Sequence, residues 1–77
     1  WERPELSKRD RSMITVANLI ALYRTDQLRG HIGRALDNGV TKGGIGEIIL
    51  HTAFYAGVPV GANAVRVAKE VFDERGI

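Results

Sequence analysis

Cysteine is absent from this 77-residue chain, which excludes a disulfide framework, a thiolate metal site and thiol redox chemistry. Aromatic side chains are few: one Trp, two Tyr and two Phe. The core must therefore be built from small aliphatic contacts, which suits closely approaching helices. No apolar run reaches the roughly eighteen residues that a membrane span needs, and Trp1-Glu2-Arg3-Pro4 does not resemble a signal peptide. A soluble, cytoplasmic protein without a membrane partner is the expectation. Charge of one sign is scarce as well, since a net +2 with Lys and Arg scattered among acids argues against nucleic-acid binding. Period-two alternation is missing over any useful length, so no strands are expected.

What is present is a globular composition, with 44% hydrophobic and 26% charged residues. The length allows one domain, 1–77, with a thin core, and oligomerisation would supply burial that a lone chain of this size lacks. The opening on Trp1 without a methionine reads as a fragment of a longer protein.

Along the chain, residues 1–6 form an extended lead-in with Pro4. Ser7 is a candidate N-cap with Asp10 three residues on. Met13 to Leu22 is apolar except for Thr15 and Asn18, a pattern that predicts a helix buried on most of its circumference. Thr15 and Asn18 share a face, where they line a polar cavity or bond back to their own helix. Thr25 and Asp26 open the next helix as cap and first-turn acid, and Leu28, Ile32, Ala35 and Leu36 form its stripe up to the stop at Asn38-Gly39. Thr41 caps a third helix with a weak start, because Gly43, Gly44 and Gly46 each cost about 1 kcal/mol relative to Ala. Either this helix begins near Ile45, or the glycines admit a close neighbour. Its stripe is Ile45, Ile48, Ile49, Thr52, Ala53 and Ala56, ended by Gly57 and Pro59. The last helix runs from about Val60 to Arg75, with Lys69, Glu70, Asp73 and Glu74 on a solvated face. Four helices with short links imply antiparallel neighbours.

Several polar groups are candidates for a site. Glu47 and His51, four residues apart, lie one above the other on a helix face, a spacing that fits catalysis or an ordinary intrahelical contact. His31 is on the shoulder of the second helix's stripe, with Arg34 next along the helix. Asn63 and Arg66, near the start of the last helix, are candidates for the same pocket as His51. The glycines at 43, 44 and 46 follow no strand and precede no suitably placed Lys, so they do not read as a phosphate cradle.

The order of motifs resembles the carboxymuconolactone decarboxylase family. It is carried by Arg9-Asp10-Arg11-Ser12, the block from Gly30-His31 to Val40-Thr41, Glu47-Ile48-Ile49-Leu50-His51, Tyr55-Ala56-Gly57-Val58-Pro59 and Asn63-Ala64-Val65-Arg66-Val67-Ala68. The resemblance implies the all-α fold of the alkylhydroperoxidase D-like superfamily, assembly as a homo-oligomer (trimer or hexamer), and a further helical segment ahead of the position of Trp1. The redox branch of that superfamily carries two cysteines where this chain has Arg24 and Gln27, so its thiol mechanism does not transfer. The glycines at 43, 44 and 46 depart from the charged residues usual in the decarboxylases.

The activity the resemblance implies is loss of carbon dioxide from 4-carboxymuconolactone, or a related small lactone acid, in bacterial breakdown of protocatechuate through 3-oxoadipate. In that substrate the departing carboxylate is on a carbon allylic to a double bond conjugated with the lactone carbonyl. The substrate thus provides its own electron sink, and neither cofactor nor metal is required. On this reading His51 is the general acid that protonates the dienolate, while Glu47 sets its tautomer and raises its pKa. His31 donates to the lactone oxygen, and a guanidinium, Arg11 or Arg34 ahead of Arg66, docks the substrate acid with Asn63 nearby. The competing reading is a catalytically silent helical assembly or small-molecule-binding domain with structural histidines.

Overall fold

Ser7 ends the lead-in by accepting a hydrogen bond on its side-chain oxygen from the Asp10 amide at 3.0 Å, satisfying one of the free donors of a helix start. In a computed structural model describing residues 1–77, four helices follow: α1 (Lys8–Ala21), α2 (Thr25–Asp37), α3 (Lys42–Ala56) and α4 (Val58–Arg75). There is no strand, so the all-α, four-helix expectation holds. None of the helices is long and apolar enough to cross a membrane.

The links are short because the chain turns where its sequence permits. Gly39 and Gly57 take φ of +98° and +114°, a region that costs a residue with a Cβ. Gly57 ends α3 and starts α4 in one step, with Pro59 in the first turn of α4, where its missing N–H is not needed. The last helix therefore begins at Val58, two residues ahead of the periodicity. Thr41 caps α3 through a bond from the Gly44 amide at 2.9 Å, and α3 is helical from Lys42 through all three glycines. Its start is not delayed to Ile45. Thr25, expected as the cap of α2, is instead its first helical residue, and its hydroxyl accepts from Asn63 Nδ2 at 3.0 Å.

The helices form two hairpins, α1 with α2 and α3 with α4, packed together through α1 on α3 and α2 on α4. This leaves α2 and α3 at diagonal corners. The core between them is wholly aliphatic, with Val16, Ile20, Leu28, Ile32, Val40, Ile45, Ile49, Val67 and Val71 among its buried residues. At the α3/α4 contact a Cβ on Gly61 would be 2.7 Å from the Ala53 Cβ, so the missing side chain sets how closely these helices approach. Buried Ser12 is satisfied by Asn38 Nδ2 at 2.9 Å. Across α2 and α4, Arg29 pairs with Glu70 and Glu74, and Arg75 reaches the Asp37 carboxylate at 3.0 Å and the Gly33 carbonyl at 2.9 Å.

One expectation fails. α1 was to be buried on most of its circumference, yet only Ser12, Val16 and Ile20 are buried, whereas Ile14, Asn18 and Ala21 are exposed. A single core layer takes one stripe from each helix. Of the polar pair on α1, Thr15 bonds back to the Arg11 carbonyl at 2.9 Å.

Candidate active site

Where α1 crosses α3, their side chains leave a trough of about 440 Å³. Its floor and walls are Met13, Ile14 and Ala17 from α1 with Ile48 and Thr52 from α3, and its polar rim is Glu47 and His51. The helical repeat explains this arrangement. Ile45 and Ile49 point into the core, so Ile48 and Thr52 turn toward α1, and Glu47 and His51 stand just outside them on consecutive turns. Both rim residues are exposed and the trough opens to solvent. Glu47 and His51 share the rim without a hydrogen bond between them. The imidazole lies instead against the Tyr55 ring one turn on, with centroids 5.1 Å apart and planes at 48°. An apolar trough edged by one carboxylate and one imidazole can hold a small molecule, strip water from one of its faces and move a proton at the other.

The other candidate residues are elsewhere. His31 is half-buried on α2, the corner diagonal to α3, and does not line the trough. A space shared by His31 and His51 is therefore not formed within one chain, because α1 and α4 occupy the positions between their helices. Asn63 and Arg66 do not join His51 either. Their flank of α4 meets α2: Asn63 donates to Thr25 and accepts from Arg66 at 2.9 Å, and Arg66 also reaches Glu70 at 3.3 Å. Arg34 is exposed over a depression between α2 and α4, with Arg29, Asp37 and Arg75. Arg11 holds the lead-in by donating to the carbonyls of Leu6 at 3.2 Å and Arg3 at 3.1 Å. It lines a hollow of about 180 Å³ with Trp1, Leu6, Ile14 and Thr15, and Ile14 belongs to the trough as well. Among these three cations, Arg11 is the one whose hollow shares a residue, Ile14, with the trough.

Met13, Ile14, Ala17, Thr52 and Tyr55 were not read from the sequence as site residues, Thr52 having been placed in the buried stripe of the third helix. Tyr55 was legible, being four residues past His51 on the same helix face. The α1 residues were not, because apolar side chains in an apolar run carry no sign of which one faces a cavity.

The carboxymuconolactone decarboxylase family matches residues 1–70. The 4-carboxymuconolactone decarboxylase of Acinetobacter baylyi is 47% identical over 77 residues, covering 100% of this chain and 58% of the relative. Nitrosuccinic acid decarboxylase of Metarhizium robertsii is 34% identical over 74 residues, covering 96% of this chain and 52% of the relative. The chain thus spans somewhat over half the length of the curated relatives it matches. A family match over residues 1–70, with a relative 47% identical over the whole chain, establishes that this chain belongs to the carboxymuconolactone decarboxylase family.

Proposed function

We propose that this chain carries the site of a cofactor-independent carboxy-lyase, acting on 4-carboxymuconolactone or a similar small diacid, with the α1/α3 trough as its seat. The observation that carries this reading is the pairing of an almost wholly apolar trough with a carboxylate and an imidazole on one rim. The names of the two relatives support it chemically. In 4-carboxymuconolactone the electron pair of the breaking C–C bond passes through a double bond into the lactone carbonyl, and in nitrosuccinic acid it passes into the nitro group. Both acids bear a built-in sink and a second carboxylate.

The leaving carboxylate rests on Met13, Ile14, Ala17 and Ile48, where poor solvation of its charge favours release as neutral carbon dioxide. The C–C bond breaks, its electrons form the dienolate, and His51 delivers a proton to carbon. Glu47, one turn before, adds a carboxylate to the same rim, Tyr55 packs on the imidazole, and Arg11 takes the retained carboxylate from the adjoining hollow. His31, diagonal to the trough in a single chain, is left without a part in these steps. The protein works in the cytoplasm as a homo-oligomer, without nucleic acid or membrane as partner.

Replacing His51 with Gln, which keeps shape and removes the proton, should lower turnover of 4-carboxymuconolactone at least about 100-fold, followed by lactone absorbance with the helical circular dichroism intact. Normal turnover in that variant rules out the role. The open trough and the distant His31 favour one second reading, a catalytically silent assembly domain. It is supported if the wild-type chain associates yet neither decarboxylates nor binds the diacid.

A further inference from the structure

The side of α3 turned away from the core is apolar and uncovered. Leu50 is 53% exposed, Phe54 79%, Tyr55 83% and, at the start of α4, Val58 76%. Lone exposed apolar residues are ordinary, but a contiguous group containing two aromatics is not. Across the trough, Ile14 of α1 is 49% exposed and extends the patch.

The pattern within this face identifies its occupant. Gly43, Glu47, Leu50 and Phe54 are spaced four, three and four residues apart, so they make one ridge along the helix. The spacing reads the same in either direction. Two such ridges laid antiparallel match, with each Phe54 opposite the second copy's Gly43 and each Leu50 opposite the second copy's Glu47. A Cβ on Gly43 would meet only the Thr41 hydroxyl, at 3.9 Å, so the outward surface there is a hollow that an aromatic ring can fill. Glu47, the ridge's single charge, also falls beside the second copy's His51, which gives the buried acid a polar partner. The exposed side chains around the ridge offer roughly 500–600 Å² per copy, so two copies together come to about 1,000–1,200 Å², at the lower edge of a specific interface.

From this self-matching ridge we infer that a second copy of the chain packs its α3 antiparallel on this one, and that the partner helix roofs the α1/α3 trough. A helix on the ridge lies directly outside Glu47 and His51 and reaches toward Ile14, which converts an open trough into an enclosed cavity whose lid belongs to the other copy. The roof's catalytic consequence rests on the proposed decarboxylase site; the seam itself does not.

Sedimentation of the 77-residue chain at micromolar concentration is expected to give a dimer or an even multiple. Phe54→Glu, and independently Leu50→Lys, should at least halve the mass with helical circular dichroism retained. Because the chain has no cysteine, Gly43→Cys mixed with Phe54→Cys should form a disulfide-linked heterodimer under mild oxidation, with little self-linking of either variant alone. Phe54→Glu should also lower kcat/KM at least about tenfold, whereas His51→Gln should lose turnover and keep its mass. A monomeric wild type, an unchanged mass in both charged variants, or no cross-link in the mixture overturns the seam. An assembly that cross-links but has no turnover supports the seam and overturns only the decarboxylase reading.

Discussion

Gly61 and Ala53 touch where α3 meets α4, and that contact is sensitive to one methyl group. The Cβ of Gly61→Ala would be 2.7 Å from the Ala53 Cβ, well inside van der Waals contact, so the helices must separate. The gain in helix propensity, about 1 kcal/mol, is outweighed by overpacking of about 1–3 kcal/mol, and a net loss of stability is expected in urea unfolding. Ala53→Gly in the same chain should recover part of the loss; full stability in the single variant would show that the helices part at no cost. Glu47 and His51 present the opposite situation, since both are exposed and neither is held by a hydrogen bond. Their part in chemistry depends on what closes over them. Their pairing was legible, because an i, i+4 interval places two side chains on one face whatever else the chain does. The wall of Met13, Ile14 and Ala17 was not, because it comes from a helix some thirty positions earlier and joins α3 only in the packed bundle.

At the scale of elements, local signals govern where helices start and stop. Ser7 and Thr41 cap α1 and α3 as read from the sequence, and Gly39 and Gly57 end α2 and α3 where turning is easiest. α2 starts differently from the reading. Like α4 it has no side-chain cap, and the Thr25 hydroxyl, inside its first turn, accepts from Asn63 across the bundle, an interaction that no local pattern announces. α2 also holds Gly30 in its interior, and a Cβ there meets nothing within 4 Å. Gly30→Ala should therefore stabilise the chain by about 0.5–1 kcal/mol, measured as a higher urea midpoint with an unchanged slope. A loss instead would mean that Gly30 faces a neighbour outside the single chain. The ion pairs between α2 and α4 are mostly exposed, with the Arg29 side chain at 47%, so each adds roughly 0.2–1 kcal/mol at best. They align the two helices more than they hold them.

For the molecule as a whole, the margin is narrow. A domain of this length has roughly 4–12 kcal/mol of stability, and Leu28 is among the largest fully buried side chains of the core. Leu28→Ala should cost about 2–5 kcal/mol, a large share of the total, seen as a much lower thermal midpoint or as loss of the cooperative transition. If association through α3 contributes, the midpoint of the wild type should rise with protein concentration, and that dependence should vanish in Phe54→Glu. By itself the sequence determined the all-α class, the helix limits to within a few residues, the aliphatic core and the Glu47/His51 pair, because each follows from intervals of three and four positions and from residues that force a turn. Only the tertiary structure decided that His31 sits diagonal to His51, that Asn63 and Arg66 brace α4 against α2, and that the trough lies between α1 and α3. Such outcomes depend on which helix faces set next to one another, a choice made by the packing of side chains far apart in the chain.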